Sequence, residues 1–179
     1  MNSTIFYLPQ KPYNVIGTLP EQMTYPDVTA SKELSSERLT EILKTVDLSY
    51  LMDREGVMME ETNWEEELSL GEKQRLAIAR LVHHRPKFAV LDECTSAVSS
   101  EMERRLYQIC LENNITFVTI SHRPALQAYH DQMLAIGDGK CGFTLTDIDR
   151  SAHAKATLAM AKASVIDKDT EQVSSPVTH

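Results

Sequence analysis

Two adjacent acids, Asp92 and Glu93, follow the apolar run "KFAVLD" at residues 87–92. A short apolar run of this kind is typical of a buried strand, so both carboxylates are expected where a strand ends. A carboxylate suits Mg²⁺, which takes one or two hard oxygen ligands from the protein beside phosphate oxygens, and this role fits Asp92. Glu93 could act as a general base on an attacking water. Two acids after a strand can also simply cap the next helix, so the pair alone leaves both interpretations open.

A second segment that could do chemistry is "LSLGE", in which Ser69 and Glu72 have the S-x-x-E spacing of a capping box. The spacing predicts that a helix begins there. Gly71 permits close approach to the backbone, and the free amides of a first helical turn suit an anion such as phosphate. Most capping boxes merely begin helices, so this segment alone does not establish an anion site.

The elements that position these groups alternate between strand and helix, a pattern typical of a parallel sheet covered by helices. The predicted elements are strands at 4–10, 87–92 and 115–120 (the last two buried), helices from Ser35 or Ser36, at 70–84 and at 100–113, and a hairpin within 133–148. In such sheets, binding sites lie at the carboxyl ends of the strands. We therefore expect Asp92-Glu93 and Ser121-His122 to face one crevice.

Two further polar residues follow predicted strands. His122 comes after the strand at 115–120, where it could contact a terminal phosphate or cap the following turn. Gln10 comes after "FYLP" and carries no signal of its own. Each is ambiguous in isolation, so only their order along the chain can indicate a function.

Composition excludes several classes of protein. The formal net charge of -8 argues against a nucleic-acid-binding surface, which would need a basic face. The three cysteines are odd in number and lack C-x-x-C spacing, which favours reduced thiols over a disulfide framework or a zinc site. No apolar run has the length of a membrane-spanning helix, and the N-terminal segment lacks the layout of a secretory signal, so we expect a soluble chain.

Together, the motifs of residues 4–148 resemble the distal part of an ATP-binding-cassette (ABC) nucleotide-binding domain. "YLPQKPY" resembles the Q-loop, "LSLGEKQR" the family signature, "FAVLDE" the Walker B strand, "SAVS" the D-loop and "ISHR" the H-loop. The resemblance implies an α/β fold of the P-loop NTPase (RecA-like) type. It also implies a parallel sheet with a helical signature subdomain over about residues 30–85.

The resemblance implies roles for the matching positions in binding and hydrolysing ATP with Mg²⁺. The catalytic group consists of Glu93 and His122, and the Mg²⁺ group of Asp92 and Gln10. The group that contacts ATP or its phosphates consists of Gln10, Ser69, Gly71 and Glu72. The D-loop consists of Ser96, Ala97, Val98 and Ser99.

The amino-acid sequences of the motifs look most like those of subfamily D, the peroxisomal transporters of fatty acids or their CoA esters. "DECTSAVS", "FYLPQKPY" and "ISHRPAL" carry this likeness, as does Ser99 where many families have aspartate. Leu70 departs from the second glycine of most signatures and also resembles bacterial transporters of the microcin-uptake type. Subfamily D implies a second nucleotide-binding domain paired head to tail, transmembrane domains, and a place in the peroxisomal membrane with this domain facing the cytosol.

The sequence contains no G-x-x-x-x-G-K-[ST] phosphate loop. We expect a partial nucleotide-binding domain over 1–150, incomplete at its N-terminal side and exposing apolar surface, and a largely disordered extension over 151–179. One hypothesis is that the chain is part of a transporter's ATPase domain and does not hydrolyse ATP alone. The alternative is a non-catalytic module that pairs with an intact ABC ATPase and regulates it.

Overall fold

The computed structural model describes residues 5–137 and 142–149 in two compact units, which divide between Ser121 and His122. The extension predicted over 151–179 and residues 138–141 of the predicted hairpin lie outside the described residues. Each unit is built around its own sheet.

The first unit contains a three-stranded parallel sheet. Its strands are β1 (Ile5–Leu8), β4 (Phe88–Asp92) and β5 (Thr116–Ile120), joined by connections that contain the helices. Their order in the sheet is β1-β4-β5. Leu8 lies beside Leu91 in the register, and both are buried. The predicted α/β class with a parallel sheet is confirmed.

The three helices predicted for this unit, from Ser35 or Ser36, at 70–84 and at 100–113, are all present, together with two shorter ones. They are α1 (Leu19–Thr24), α2 (Ser36–Thr45), α3 (Trp64–Glu67), α4 (Leu70–His84) and α5 (Ser100–Glu112). Two short 3₁₀ helices, Val28–Glu33 and Ser49–Asp53, and a small antiparallel pair, β2 (Ile16–Gly17) with β3 (Thr62–Asn63), occupy the segments between them. The acidic stretch before α4 is therefore partly helical.

One face of the parallel sheet is covered by helices and the other is exposed. Phe6 packs on His84 of α4, and Phe117 packs on Tyr107 of α5, with ring centroids 5.4 Å apart in both pairs. The side chains that alternate with these are 47–62% exposed: Ile5, Tyr7, Phe88, Val118 and Ile120. The prediction that β4 and β5 are both buried strands is wrong, because only one face of each is covered. The expected exposed apolar surface is present.

Helix α4 is defined at both ends by its sequence. Ser69 caps its first turn together with Glu72, and Arg85 ends it in a left-handed backbone conformation with φ of 44°. Pro86 follows directly, and proline disfavours helical geometry in the residue before it. These signals explain why the predicted bounds of 70–84 match the structure.

Arg80, on the buried face of α4, anchors this helix to the loop before α1 and to α1 itself. Its guanidinium donates to the carbonyl oxygens of Tyr13 and Gln22 at 2.7 and 2.6 Å. It also donates to the side-chain oxygens of Asn14 and Gln22 at 3.1 and 2.8 Å. Burial lowers the pKa of Arg80 to about 10, so the group remains charged at neutral pH. Because these acceptors are satisfied by one side chain, α4 and residues 13–22 have a fixed relative position.

Trp64 provides a second anchor just before α4. Its indole is fully buried and donates to the carbonyl oxygen of Gly17 at 2.7 Å. The β2-β3 pair lies at the same place, since Ile16 is opposite Asn63. The segment that leads into α4 is therefore held by the segment that follows β1.

The second unit contains a 3₁₀ helix, Pro124–Tyr129, and an antiparallel pair of strands, β6 (Gln132–Ile136) and β7 (Phe143–Asp147). Ile136 pairs with Phe143, so the strands form the predicted hairpin. The side chains of both strands are exposed on both faces.

We expect Arg80→Met to lower the free energy of unfolding by about 2–4 kcal/mol, because four hydrogen bonds are lost, three of them buried. Arg75→Met is the matched control on the same helix, since Arg75 makes one exposed hydrogen bond, to the Asp47 carbonyl at 2.9 Å. That variant should lose less than about 1 kcal/mol. Urea unfolding of the chain followed by circular dichroism measures both losses. Equal losses would contradict the anchoring role of Arg80.

Candidate functional site

Asp92 is the last residue of β4, at the carboxyl edge of the parallel sheet. Its Oδ2 atom accepts a hydrogen bond from the hydroxyl of Tyr7 at 2.7 Å. Tyr7 lies opposite Val90 on the neighbouring strand, so its side chain shares the exposed face with Asp92 and reaches one pleat further along β4. A half-buried carboxylate at a strand end offers hard oxygen atoms of the kind that Mg²⁺ binds beside phosphate.

Glu93 has a strained backbone. Its φ of 44° lies in the left-handed region, which is uncommon for a residue with a long side chain, and its N–H donates to the Ile120 carbonyl at 3.0 Å. Such outliers concentrate at functional sites, where the surrounding structure holds them. Cys94, the next residue, is buried, and burial raises the pKa of its thiol to about 12, so it is unsuited to act as a nucleophile. Glu93 is thus the candidate base of this turn.

The first turn of α4 has the predicted capping box. The Ser69 N–H and hydroxyl donate to Glu72 Oε2 at 2.8 and 2.6 Å, and the Ser69 hydroxyl oxygen accepts from the Glu72 N–H at 3.4 Å. The Tyr50 hydroxyl donates to the other carboxylate oxygen of Glu72. Ser69 is exposed, while Gly71 and Glu72 are half-buried. The structure confirms the helix start, and phosphate binding by these residues stays a prediction.

The predicted D-loop, residues 96–99, lies against the first turn of α4. A side chain built on Gly71 would place its Cβ 2.6 Å from the Ala97 carbonyl oxygen, so glycine is required by this close approach. Ser99 caps α5, accepting from the Met102 N–H at 3.2 Å. Val98 is half-buried, whereas Ser96 and Ala97 are exposed. The structure therefore brings Gly71 and Ala97 together, and this contact was not predicted from the sequence.

Gln74 is a residue of this site that the motifs did not single out. It is fully buried on α4, and its amide contacts both the segment after β1 and the predicted D-loop. The signal for it was present in the sequence, since Gln74 is a polar residue on the apolar stripe formed with Ala77, Ile78 and Leu81.

Gln10 follows β1 by two residues, at the same edge of the sheet as Asp92. Its carbonyl accepts from Gln74 Nε2 at 2.8 Å, and the residue is exposed. Its predicted contacts with phosphate and Mg²⁺ stay predictions. His122 is exposed and is the first residue of the second unit, and its predicted contact with a terminal phosphate likewise stays a prediction.

Within residues 5–137 and 142–149, no group of three or more His, Cys, Asp or Glu side chains could hold a metal ion. The predicted Mg²⁺ ligands, the Asp92 carboxylate and the Gln10 side-chain oxygen, are hard oxygen donors of the kind that Mg²⁺ takes beside phosphate, and their role stays a prediction. In the same described part of the chain, no helix is long and apolar enough to cross a membrane.

Comparison with known proteins places these features in a family. Residues 4–96 match the ABC transporter family. The chain is 51% identical over 150 residues to "ABC transporter D family member 1" of Arabidopsis thaliana. The aligned residues cover 81% of this chain and 11% of that protein. The chain is also 43% identical over 147 residues to "ATP-binding cassette sub-family D member 3" of Homo sapiens, covering 80% of this chain and 22% of that protein. The chain thus spans a small part of these relatives.

A solved structure of a bacterial Atm1-family ABC exporter with ATP bound has the same fold. It superposes with a TM-score of 0.65 at 20% sequence identity, over 98% of this chain and 29% of the exporter. The P-loop NTPase-like α/β class predicted from the motifs is confirmed.

We expect the capping box to stabilise the chain more strongly when Glu72 is ionised. Burial raises the pKa of Glu72, but hydrogen bonds from Ser69 and Tyr50 outweigh it, so the net pKa is below its ordinary value of 4.5. A lowered pKa in the folded state contributes stability above pH 4.5 and loses it as the pH falls through the folded pKa. Glu72→Gln should lower the melting temperature by about 1–3 °C at pH 7, a difference that shrinks below pH 4.5.

Thermal melts between pH 3 and pH 7 measure this difference. Glu66→Gln is the control, because Glu66 is an exposed acid of the neighbouring helix α3. It should shift the melting temperature by less than about 1 °C throughout. A difference for Glu72→Gln that stays constant with pH would show that the carboxylate charge does not stabilise the cap.

Proposed function

The chain belongs to the ABC transporter family, and we propose that it supplies the distal part of an ATPase domain whose ATP binding and hydrolysis drive transport. The observation that carries the proposal is the acid pair at the end of β4, with Glu93 held in a left-handed conformation beside Asp92. An acid pair at the carboxyl edge of a parallel sheet suits phosphoryl chemistry. The match of residues 4–96 to ABC transporters supports the same activity.

In the proposed reaction, water attacks the terminal phosphorus of ATP and the bond to the bridging oxygen of ADP breaks. Glu93 orients this water and accepts a proton from it. Asp92 and Gln10 would bind Mg²⁺, which neutralises charge on the phosphate oxygens. His122 would contact the terminal phosphate. The Tyr7 hydroxyl, which donates to Asp92, orients that carboxylate.

We also propose that two such domains pair head to tail. The first turn of α4, with Ser69 and Gly71 at its start, would then contact a nucleotide held mainly by the partner domain. Free amide groups and the positive end of the helix dipole favour phosphate at this position. The exposure of Ser69 at the start of α4 supports this proposal.

The relatives in subfamily D support a finer proposal about the cargo. We propose long-chain fatty acids or their CoA esters as the transported molecules, a peroxisomal membrane location and transmembrane domains as partners. Identities of 51% and 43% to D-family proteins support the subfamily. Uptake of labelled long-chain acyl-CoA by peroxisomes that carry the transporter tests this proposal. Unchanged uptake after removal of the transporter would contradict it.

Glu93→Gln in a transporter that contains this segment is expected to slow ATP hydrolysis by about a hundredfold or more, because the attacking water loses its base. Binding of Mg-ATP should change by less than about threefold, because the groups that hold the phosphates are intact. Steady-state ATPase rates and equilibrium binding of labelled ATP measure the two effects.

Glu101→Gln is the matched control, since Glu101 is an exposed acid in the first turn of α5. It should leave both quantities unchanged. Hydrolysis by the Glu93→Gln protein at the wild-type rate would exclude Glu93 as the base.

A further inference from the structure

The side-chain amide of Gln74 joins three segments of the proposed site. Its Nε2 atom donates to the Gln10 carbonyl at 2.8 Å and to the Ser96 hydroxyl oxygen at 2.9 Å. Its Oε1 atom accepts from the Ala97 N–H at 2.9 Å. Both donor hydrogens and the acceptor oxygen of one buried amide are therefore used.

The partners of Gln74 are far apart in the sequence. Gln10 precedes it by 64 residues, and Ser96 and Ala97 follow it by 22 and 23 residues. Gly71, one turn before Gln74 on the same helix, lies against the Ala97 carbonyl. Two residues of α4 thus contact the same short segment, one through hydrogen bonds and one through close backbone packing.

We propose that Gln74 is a positioning residue for ATP hydrolysis, which holds Gln10 and residues 96–97 in a fixed relation to the first turn of α4. This role rests on the proposed function. Residues 96–97 follow Glu93 within one turn, since the Ser96 N–H donates to the Glu93 carbonyl at 3.2 Å. A substitution of Gln74 is therefore expected to displace the turn that holds the proposed base and the segment that carries Gln10.

Only an amide side chain satisfies all three partners. Ionised glutamate at this position keeps acceptors for the Ala97 N–H and the Ser96 hydroxyl but cannot donate to the Gln10 carbonyl. Methionine has a similar length and loses every hydrogen bond. The two substitutions therefore separate the contact with residues 96–97 from the contact with Gln10.

Nuclear magnetic resonance of the isotope-labelled 179-residue chain tests the geometry without requiring activity. For Gln74→Met, we expect the Ala97 amide to exchange with solvent about tenfold faster and the Gln10 carbonyl ¹³C signal to move upfield. For Gln74→Glu, the Gln10 signal should move upfield while the Ala97 exchange rate stays within about twofold of wild type.

Thr24→Val is the matched control, because Thr24 is also fully buried and its hydroxyl donates to the Pro20 carbonyl at 3.1 Å rather than to the proposed site or to Arg80. It removes a buried hydrogen bond and keeps the shape of the side chain. If it accelerated Ala97 exchange as much as Gln74→Met does, the effect would be general destabilisation and the inference would be wrong. An effect confined to the Gln74 variants supports the inference.

Steady-state kinetics in a transporter that contains this segment test the positioning role. Gln74→Glu should lower kcat about tenfold while KM for ATP changes less than about twofold, because misplacement of reacting groups slows chemistry more than binding. Glu93→Gln serves as the reference. If it stops turnover while Gln74→Glu keeps the wild-type kcat, the inference is wrong and the proposed function stands. If Glu93→Gln is fully active, the proposed function is wrong, and the spectroscopic result still decides whether Gln74 joins the three segments.

Discussion

The buried guanidinium of Arg80 is the constraint on which the position of α4 depends. It satisfies four acceptors between Tyr13 and Gln22, all of them neutral, and its burial would be costly without them. Since the chain between 13 and 22 follows directly from β1, the network fixes α4 relative to the sheet. The same helix carries Gln74 and the capped turn at Ser69, so the contacts of Arg80, two to three turns away, also fix the position of these two residues.

The sheet contributes the acid pair and the helix contributes the capped turn, and the segment 96–97 lies between them. Glu93 is attached to the sheet through its N–H bond to Ile120, and Ala97 is attached to α4 through Gln74. A shift of α4 would therefore be transmitted to the turn after β4. This arrangement gives a physical route by which contacts at the helix could alter the geometry of hydrolysis.

Local signals in the sequence were sufficient to predict the main helices and strands, and the order of the motifs was sufficient to identify the family. Caps at Ser69 and Arg85-Pro86 defined α4, and apolar runs defined the strands, because both signals act within a few residues. The exposure of one face of β5 was missed, because an apolar run does not reveal which of its faces a helix covers. The apolar stripe of α4 indicates that Gln74 and Arg80 are buried, but it does not reveal their partners, which lie up to 67 residues away in the sequence.

The proposed role of the first turn of α4 is tested most directly by titration of the 179-residue chain with labelled Mg-ATP. The titration is done with the chain alone and with an intact ABC ATPase domain as partner. The chain alone is expected to show no saturable binding at micromolar ATP, because its sequence holds no glycine-rich phosphate loop. In the mixture, ATP affinity should rise about fivefold or more, a gain that Ser69→Arg abolishes by placing a bulky side chain at the start of α4. Tight binding by the chain alone, or a gain that survives Ser69→Arg, would contradict a role for α4 in completing the partner's site.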